Sequence, residues 1–446
     1  MRKILLIGAG RSSTILIQYL LDHASAETWT LKVGDVSKDL AEKKIAGHPA
    51  GTAIAFDVEN KDERSTAIAE ADLVISMLPA HMHLPVAMEC LKQKKNLVTA
   101  SYASTDMQAM HGDAAASGVL FLNECGLDPG LDHMSAMQII DDIRSANGTI
   151  SSFRSYTGGL VAPESNDNPW GYKFSWNPRN VILAGQGTAK FIENNRYKYI
   201  PYNRLFREIR TIQIEGLGNF DGYANRDSLS YRKLYRLDHI PTLLRGTLRQ
   251  EGYCNAWNVF VKLGITDDTY AIEDSEKLSY ADWIDSFLPT GSEGKTLQQR
   301  LANFAGVPEK SKIMEMVAWT GILEDKNIGI SNATPAQILQ QLLEEKWALK
   351  NSDRDMIVMQ HQFEYTLDRK KIKHVSSLVV KGENSNQTAM AKTVGLPVAI
   401  AARLILNGKI TMKGVHIPVH RAIYEPILGE LKNYDIKFVE KQSASA

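Results

Sequence analysis

Apolar positions along the first 123 residues switch repeatedly between two periods. Residues 3–7 form an almost unbroken apolar run, as in a strand buried on both faces. After Gly8-Ala9-Gly10, Ile15, Leu16, Tyr19 and Leu20 fall at helical spacing within 12–23. Residues 28–33, 53–57, 73–77, 96–99 and 119–123 read as five further strands, with helices at 61–69, 85–93 and 106–117. Repeated strand–helix units predict a parallel, doubly wound sheet, because parallel neighbours need a crossover between them. Ligands of such sheets sit at the carboxyl ends of the strands.

The regularity breaks after 134–144, a helix expected to lead out of the first domain. Residues 150–265 mix strand-like runs (150–156, 210–214, 257–263) with long polar and aromatic connections. Residues 270–352 set Leu and Ile at helical spacing among charges, which predicts a small helical domain. Residues 356–367 and 371–380 read as two strands, 389–407 as a helix, and 415–440 as a strand-like run, a helix and a final strand. The expected division is therefore 1–133 completed by 389–446, a mixed α/β domain from 134–268 and 354–388, and helices over 269–353.

Composition narrows the classes. With 446 residues and 44% hydrophobic positions, the chain exceeds what one core holds, about 250–300 residues. Lys+Arg and Asp+Glu are equal at 51 each, so no global charge points to nucleic acid. Cys90, Cys125 and Cys254 are few, odd in number and far apart, which predicts no disulfide framework and a reducing cytoplasm. No ligand spacing suggests a metal site. No unbroken apolar run of about 20 residues predicts a membrane span.

Gly8-Ala9-Gly10 lies where a dinucleotide turn belongs, between strand and helix. One glycine permits the turn and the next lets backbone N–H groups, continuing through Arg11 and Ser12, approach a pyrophosphate. Ser13 stands where the third glycine of the common Rossmann pattern would be. Asp35, followed by Val36, falls just past the second strand, where a carboxylate accepts from adenosine ribose hydroxyls and repels a 2′-phosphate. That favours NAD, with NADP the lesser expectation. Asp57-Val58 is expected beside the adenine, Ser76 and Leu78 beside the nicotinamide ribose, and Thr99 and Ala100 at the next strand end.

Beyond the sixth strand come Asn123 to His133, NECGLDPGLDH, with Leu127-Asp128-Pro129 expected to bind the cofactor and wall the site beside the nicotinamide. This segment, together with GGLVAPESNDNPWGYKFSWNPR, ANRDSLSY, RGTLRQEGY and AKTVGLPVAIAARLIL, resembles the saccharopine reductases, the glutamate-forming saccharopine dehydrogenases. The resemblance implies a Rossmann domain, a mixed α/β substrate and dimerisation domain, a helical third domain and a homodimer. It implies reversible, NAD(P)-dependent oxidation of the secondary amine of saccharopine, releasing glutamate and 2-aminoadipate semialdehyde in lysine metabolism. It also implies that Ser101, Asp128, Arg226, Thr247, Leu248 and Arg249 touch substrate. Bidentate guanidinium pairing suits a tricarboxylate, so Arg226 and Arg249 are the expected clamps. Asp128 and Tyr102 are the acid–base candidates, with His83 a further possibility.

Two departures stand out. Thr157, in Tyr156-Thr157-Gly158-Gly159, replaces the cysteine of fungal-type members, so a hydroxyl takes the place of a thiol. Relatives that use NADP tend to carry Arg where Asp35 stands. Trp170 and Trp176 read as packing residues. A dehydrogenase for another amine–carboxylate conjugate such as carboxynorspermidine, and a catalytically silent dinucleotide sensor, are the competing functions.

Overall fold

The first apolar run forms β1 (Arg2–Ile7), followed by β2 (Trp29–Asp35), β3 (Gly51–Ala55), β4 (Leu73–Ser76), β5 (Asn96–Thr99) and β6 (Leu120–Leu122). The computed structural model describes residues 1–444. These six strands join Gly414–His416 in one sheet of order Gly414–His416, β6, β5, β4, β1, β2, β3. Every pairing is parallel. Strand order reverses at β1, which has β2 on one side and β4 on the other, so a crevice opens there at the carboxyl ends. The sheet belongs to a compact unit comprising Met1–Ile150, Tyr365–Ile372 and the chain from Leu378 onward.

The helix Thr14–Asp22 turns Leu16, Ile17, Leu20 and Leu21 inward. The carboxyl-terminal helix Ala389–Leu406 packs on it. A Cβ at Gly395 would stand 3.0 Å from the Leu16 nitrogen, so that crossing needs a glycine. This helix is long and apolar enough to cross a bilayer by length and composition, but 72% of it is buried in the protein. The first unit extends through Ile150 and so includes the helix Leu131–Ser145. That helix is tied to Arg421–Leu431 by the Tyr424 hydroxyl donating to Asp141 at 2.7 Å. The helix expected at 106–117 is broken at Met110 into Thr105–Ala109 and His111–Ala116.

The second unit spans Ser151–Glu364 and Lys373–Ser377. Its strands Arg210–Ile214, Gly218–Ala224 and Thr242–Gln250 run antiparallel, and the last pairs in parallel with Thr149–Val161. A hairpin, Thr188–Glu193 with Arg196–Pro201, lies off that path. The run expected as a strand at 257–263 is instead part of a helix, Tyr253–Leu263. Its β-branched and aromatic residues fit a strand by type. Tyr253, Ala256, Trp257 and Phe260 nevertheless share one helical face, and all are buried, so tertiary burial overrides propensity. Gly252 and Gly264, both at positive φ, bracket it.

Residues 270–352 form the helices Tyr280–Phe287, Leu297–Ala305, Lys312–Trp319 and Pro335–Lys346. Capping boxes start the first and last, Ser279 with Asp282 and Thr334 with Gln337. These helices share one core with the strands, centred on Trp170, Trp257, Trp283 and Trp347. Trp170 is fully buried, its indole N–H donating to the Met316 carbonyl at 2.8 Å. Trp257→Ala is expected to cost about 3–5 kcal/mol, read as a lower midpoint in urea unfolding.

Candidate active site

The glycine turn is shaped by contacts on one side and open space on the other. Gly8 has φ +102°, and a Cβ there would lie 2.9 Å from the Met77 carbonyl oxygen. A Cβ at Gly10 would meet nothing within 4 Å. That vacant approach, at the start of the single helical turn Arg11–Ser13, fits a dinucleotide's pyrophosphate. Ser13 accounts for the missing third glycine: its buried hydroxyl donates to the Gly8 carbonyl at 2.8 Å and fastens helix to turn.

Asp35 closes the turn from β2. Its two carboxylate oxygens accept from the amides of Ala9 at 2.7 Å and Ser37 at 2.9 Å. Val36 beside it is 79% exposed. Sequence reasoning missed Lys44, whose ammonium donates to the Gly10 carbonyl. Burial lowers the Lys44 pKa to about 8, with Asp35 opposing. Lys44 lies in the helix Lys38–Ile45 with no motif to mark it. Asp57 and Val58 do not end a strand, because β3 stops at Ala55. Asp57 caps a turn, accepting from the Glu59 amide at 2.9 Å, and Val58 is buried.

At the ends of β4 and β5 a buried polar chain joins the two strand-to-helix connections. The Ser76 hydroxyl meets His83 Nδ1 at 2.8 Å, and His83 Nε2 meets the Ser101 hydroxyl at 2.7 Å and Thr99 Oγ1 at 3.4 Å. Ser76 and Thr99 are buried, so their side chains serve His83 rather than face outward. His83 is 4% exposed. Burial, aided by the neighbouring His81, lowers its pKa from 6.5 to about 4. It is therefore neutral near pH 7, which removes it as a general acid there.

After β6 the chain doubles back on itself. Gly126 N–H donates to the Pro129 carbonyl at 3.0 Å, and Leu131 N–H to Gly126 at 2.8 Å. Gly130, at φ +148°, has the Gly126 backbone only 2.3 Å from where a Cβ would be. The Asp128–Pro129 peptide is cis. Asp128 is held half-exposed, and the Tyr102 hydroxyl donates to its Oδ1 at 3.2 Å. Leu127 and Pro129 are buried, and Ala100 packs close to Gly126. Underneath, Glu124 accepts from the Ala103 amide at 3.1 Å with one oxygen and contacts His133 Nε2 at 2.8 Å with the other. Asp132 accepts from the Gly130 amide at 2.7 Å. Sequence reasoning quoted Glu124, Asp132 and His133 within the motif but gave them no role; together they brace the loops that carry Tyr102 and Asp128.

The second unit holds the remaining expected residues. Thr157 and Thr247 are register partners on adjacent strands. Leu248 is 0% exposed, packs against Gly158 and has its carbonyl taken by Arg249, so, against expectation, it offers no surface to a ligand. Arg226 is exposed, at φ +49° just beyond the strand Gly218–Ala224. Arg249 is buried to 4% exposure, its guanidinium 5.3, 5.9 and 5.5 Å from the ring centres of Tyr172, Tyr223 and Tyr253. It donates to the Leu248 carbonyl at 3.0 Å, while its Nε has no partner. Among the described residues no carboxylate pairs with it. Burial raises the phenol pKa of Tyr172 and Tyr223 against the pull of Arg249, so the rings offer π faces rather than counter-charges.

A doubly wound parallel sheet, a Gly-X-Gly turn and a carboxylate at the end of β2 define a Rossmann-type dinucleotide-binding protein. The particular family follows from comparison with known proteins. Residues 4–122 match the saccharopine dehydrogenase NADP binding domain and residues 126–436 the saccharopine dehydrogenase C-terminal domain. The chain belongs to the saccharopine dehydrogenase family.

It is 32% identical to the saccharopine dehydrogenase [NADP(+), L-glutamate-forming] of Pyricularia oryzae, covering 99% of both chains. It is 35% identical to bovine mitochondrial alpha-aminoadipic semialdehyde synthase, covering 99% of this chain but 48% of that one. Among solved structures, the apo saccharopine dehydrogenase (L-Glu forming) of Saccharomyces cerevisiae superposes with TM-score 0.89 at 31% identity, covering all of both chains. A homospermidine synthase from Legionella pneumophila shares the fold alone, at TM-score 0.57 and 11% identity. The NADP(+) in the fungal name does not support the expectation of NAD from Asp35.

Two outcomes follow from this geometry. The unfolded chain takes up a proton on His83 before the folded one does. Stability is therefore full above pH 6.5 and falls as pH drops from there towards about 4, by up to about 3 kcal/mol. Urea midpoints at pH 7.5 and 5 should show this decline for the native chain and a smaller one for His83→Gln. Gly130→Ala should disorder the turn carrying Asp128, read as loss of activity with dinucleotide binding retained.

Proposed function

We propose that this chain is a glutamate-forming saccharopine dehydrogenase, oxidising the secondary amine of saccharopine with a nicotinamide dinucleotide as hydride acceptor. The observation that carries the reading is Arg249, a buried guanidinium without a carboxylate partner. A buried unpaired charge is costly, and an anionic ligand arriving in bidentate geometry relieves it. A tricarboxylate suits that site; a polyamine conjugate would bring cationic groups to a cation. Family membership and the identity to fungal enzymes of that name support the same substrate.

In the second unit Arg226 and Arg249 hold carboxylates, and Thr157 and Thr247 add hydroxyls. Taken by itself, the first unit offers Ser101, Tyr102 and Asp128 for the amine chemistry. The substrate ammonium must lose a proton before its neighbouring carbon can give up a hydride. Asp128, whose carboxylate accepts from the Tyr102 hydroxyl, holds that ammonium and accepts its proton. A nicotinamide dinucleotide held at the Gly8–Ser12 turn would supply the hydride acceptor, and loss of that hydride would convert the substrate amine to an imine. Water then adds to the imine carbon, and cleavage of the carbon–nitrogen bond releases glutamate and 2-aminoadipate semialdehyde.

The dinucleotide follows the turn, with Gly8, Ala9, Gly10, Arg11 and Ser12 at the pyrophosphate and Asp35 at the adenosine ribose. Asp35 supports NAD over NADP, and Lys44 is the countervailing charge. Three free, buried cysteines suit a reducing compartment such as the cytoplasm. A homodimer belongs to the same reading.

An assay with saccharopine and either NAD+ or NADP+ tests the reading directly. Turnover is expected; oxidation of carboxynorspermidine with none of saccharopine would overturn it. Arg249→Gln should raise KM for saccharopine at least about tenfold and leave KM for the dinucleotide unchanged. Asp35→Ala should lower the ratio of kcat/KM for NAD to that for NADP, and an unchanged ratio would remove Asp35 from cofactor choice.

A further inference from the structure

The chain Ser76–His83–Ser101 has a direction that its burial sets. A neutral imidazole offers one N–H and one lone pair. Ser76 is 0% exposed, and among the described residues its hydroxyl has a single partner, His83 Nδ1 at 2.8 Å. Were the proton on Nδ1, the Ser76 hydroxyl hydrogen would be sealed in the protein with nothing to accept it. With Nδ1 bare, Ser76 donates into the ring and no buried donor is wasted.

The ring proton then sits on Nε2 and is given to the Ser101 hydroxyl oxygen at 2.7 Å, with Thr99 Oγ1 at 3.4 Å beside it. Thr99 Oγ1 also accepts from the Ser101 amide at 3.2 Å, fixing the backbone from which the hydroxyl springs. Ser101 is half-buried, and His83 is the one partner of its hydroxyl among the described residues. Its oxygen already accepts one hydrogen bond from behind, so its own proton turns towards the site.

We propose that His83 is a positioning residue that makes Ser101 a hydrogen-bond donor, assigning Ser101 to a carboxylate of the substrate rather than to its ammonium. This rests on the dehydrogenase reading above. It divides the labour within the first unit: Ser101 donates to an anion, whereas Asp128 receives the cation. The same histidine appears in the sequence only as one of two in Pro79-Ala80-His81-Met82-His83, with no spacing to couple it to Ser101.

Two measurements test it. In protein labelled with 15N-histidine, the nitrogen–proton correlations absent from His83→Gln identify the His83 ring. The pattern of an Nε2–H tautomer is expected, and an Nδ1–H pattern would overturn the proposal. In kinetics, His83→Ala should raise KM for saccharopine about tenfold with KM for the dinucleotide unchanged, and His83→Gln, whose amide N–H reaches towards Ser101, should recover part of the loss. In a Ser101→Ala background the His83 substitution should add nothing; an equal loss in both backgrounds would show that His83 does not act through Ser101. A native chain that oxidises no saccharopine would refute the dehydrogenase reading, and the tautomer measurement would still decide the direction of the chain.

Discussion

Parallel strand pairing is the constraint from which the first unit follows. Each parallel neighbour obliges the chain to cross back over a face of the sheet, so all its strands finish at one edge. Gly8 ends β1, Asp35 closes β2, Ser76 closes β4, Thr99 closes β5 and Asn123 follows β6. None of these residues is near another in sequence, yet the topology delivers them together. The point where strand order reverses beside β1 leaves room for a ligand among them.

Gathering polar loops at one edge creates a problem of hydrogen bonding. Donors and acceptors buried there must find partners or destabilise the fold. The chain solves it with two compact networks. One runs through His83 to the hydroxyls of Ser76 and Ser101; the other joins Glu124, His133 and Asp132 beneath the tight turn at Gly126–Gly130. Both are rigid supports for side chains that remain accessible, Ser101 in one case and Asp128 with Tyr102 in the other.

Much of this was legible in the sequence where a pattern has a local cause. Strand–helix alternation placed six of the seven strands of the first sheet, because buried parallel strands are apolar runs and crossover helices are amphipathic. The glycine turn was visible for the same reason. The helix Tyr253–Leu263 was misread because Trp257, Val259, Phe260 and Val261 are strand formers by type, and only burial on one helical face decided otherwise. At the candidate site, the residues proposed to touch a ligand lie in recognisable motifs, whereas those that brace them do not. Lys44 reaches Gly10 across 34 positions, and His83 reaches Ser101 across 18; such pairings have no signature along the chain. Conversely, Leu248 and Ser76 sit in or beside motifs but turn their side chains into the protein.

The tyrosine cage around Arg249 has a thermodynamic side. A guanidinium sealed from water without an anion raises the free energy of the ligand-free fold, and an apolar side chain of similar volume there would be expected to stabilise it. If the proposed anion binds there, occupancy and stability are linked by mass action. A carboxylate ligand entering that cage would raise the melting temperature roughly with the logarithm of its concentration once above Kd, making the empty fold the weaker of the two states. The residue best suited to recognise substrate is, on this account, also one that keeps the empty protein below its attainable stability.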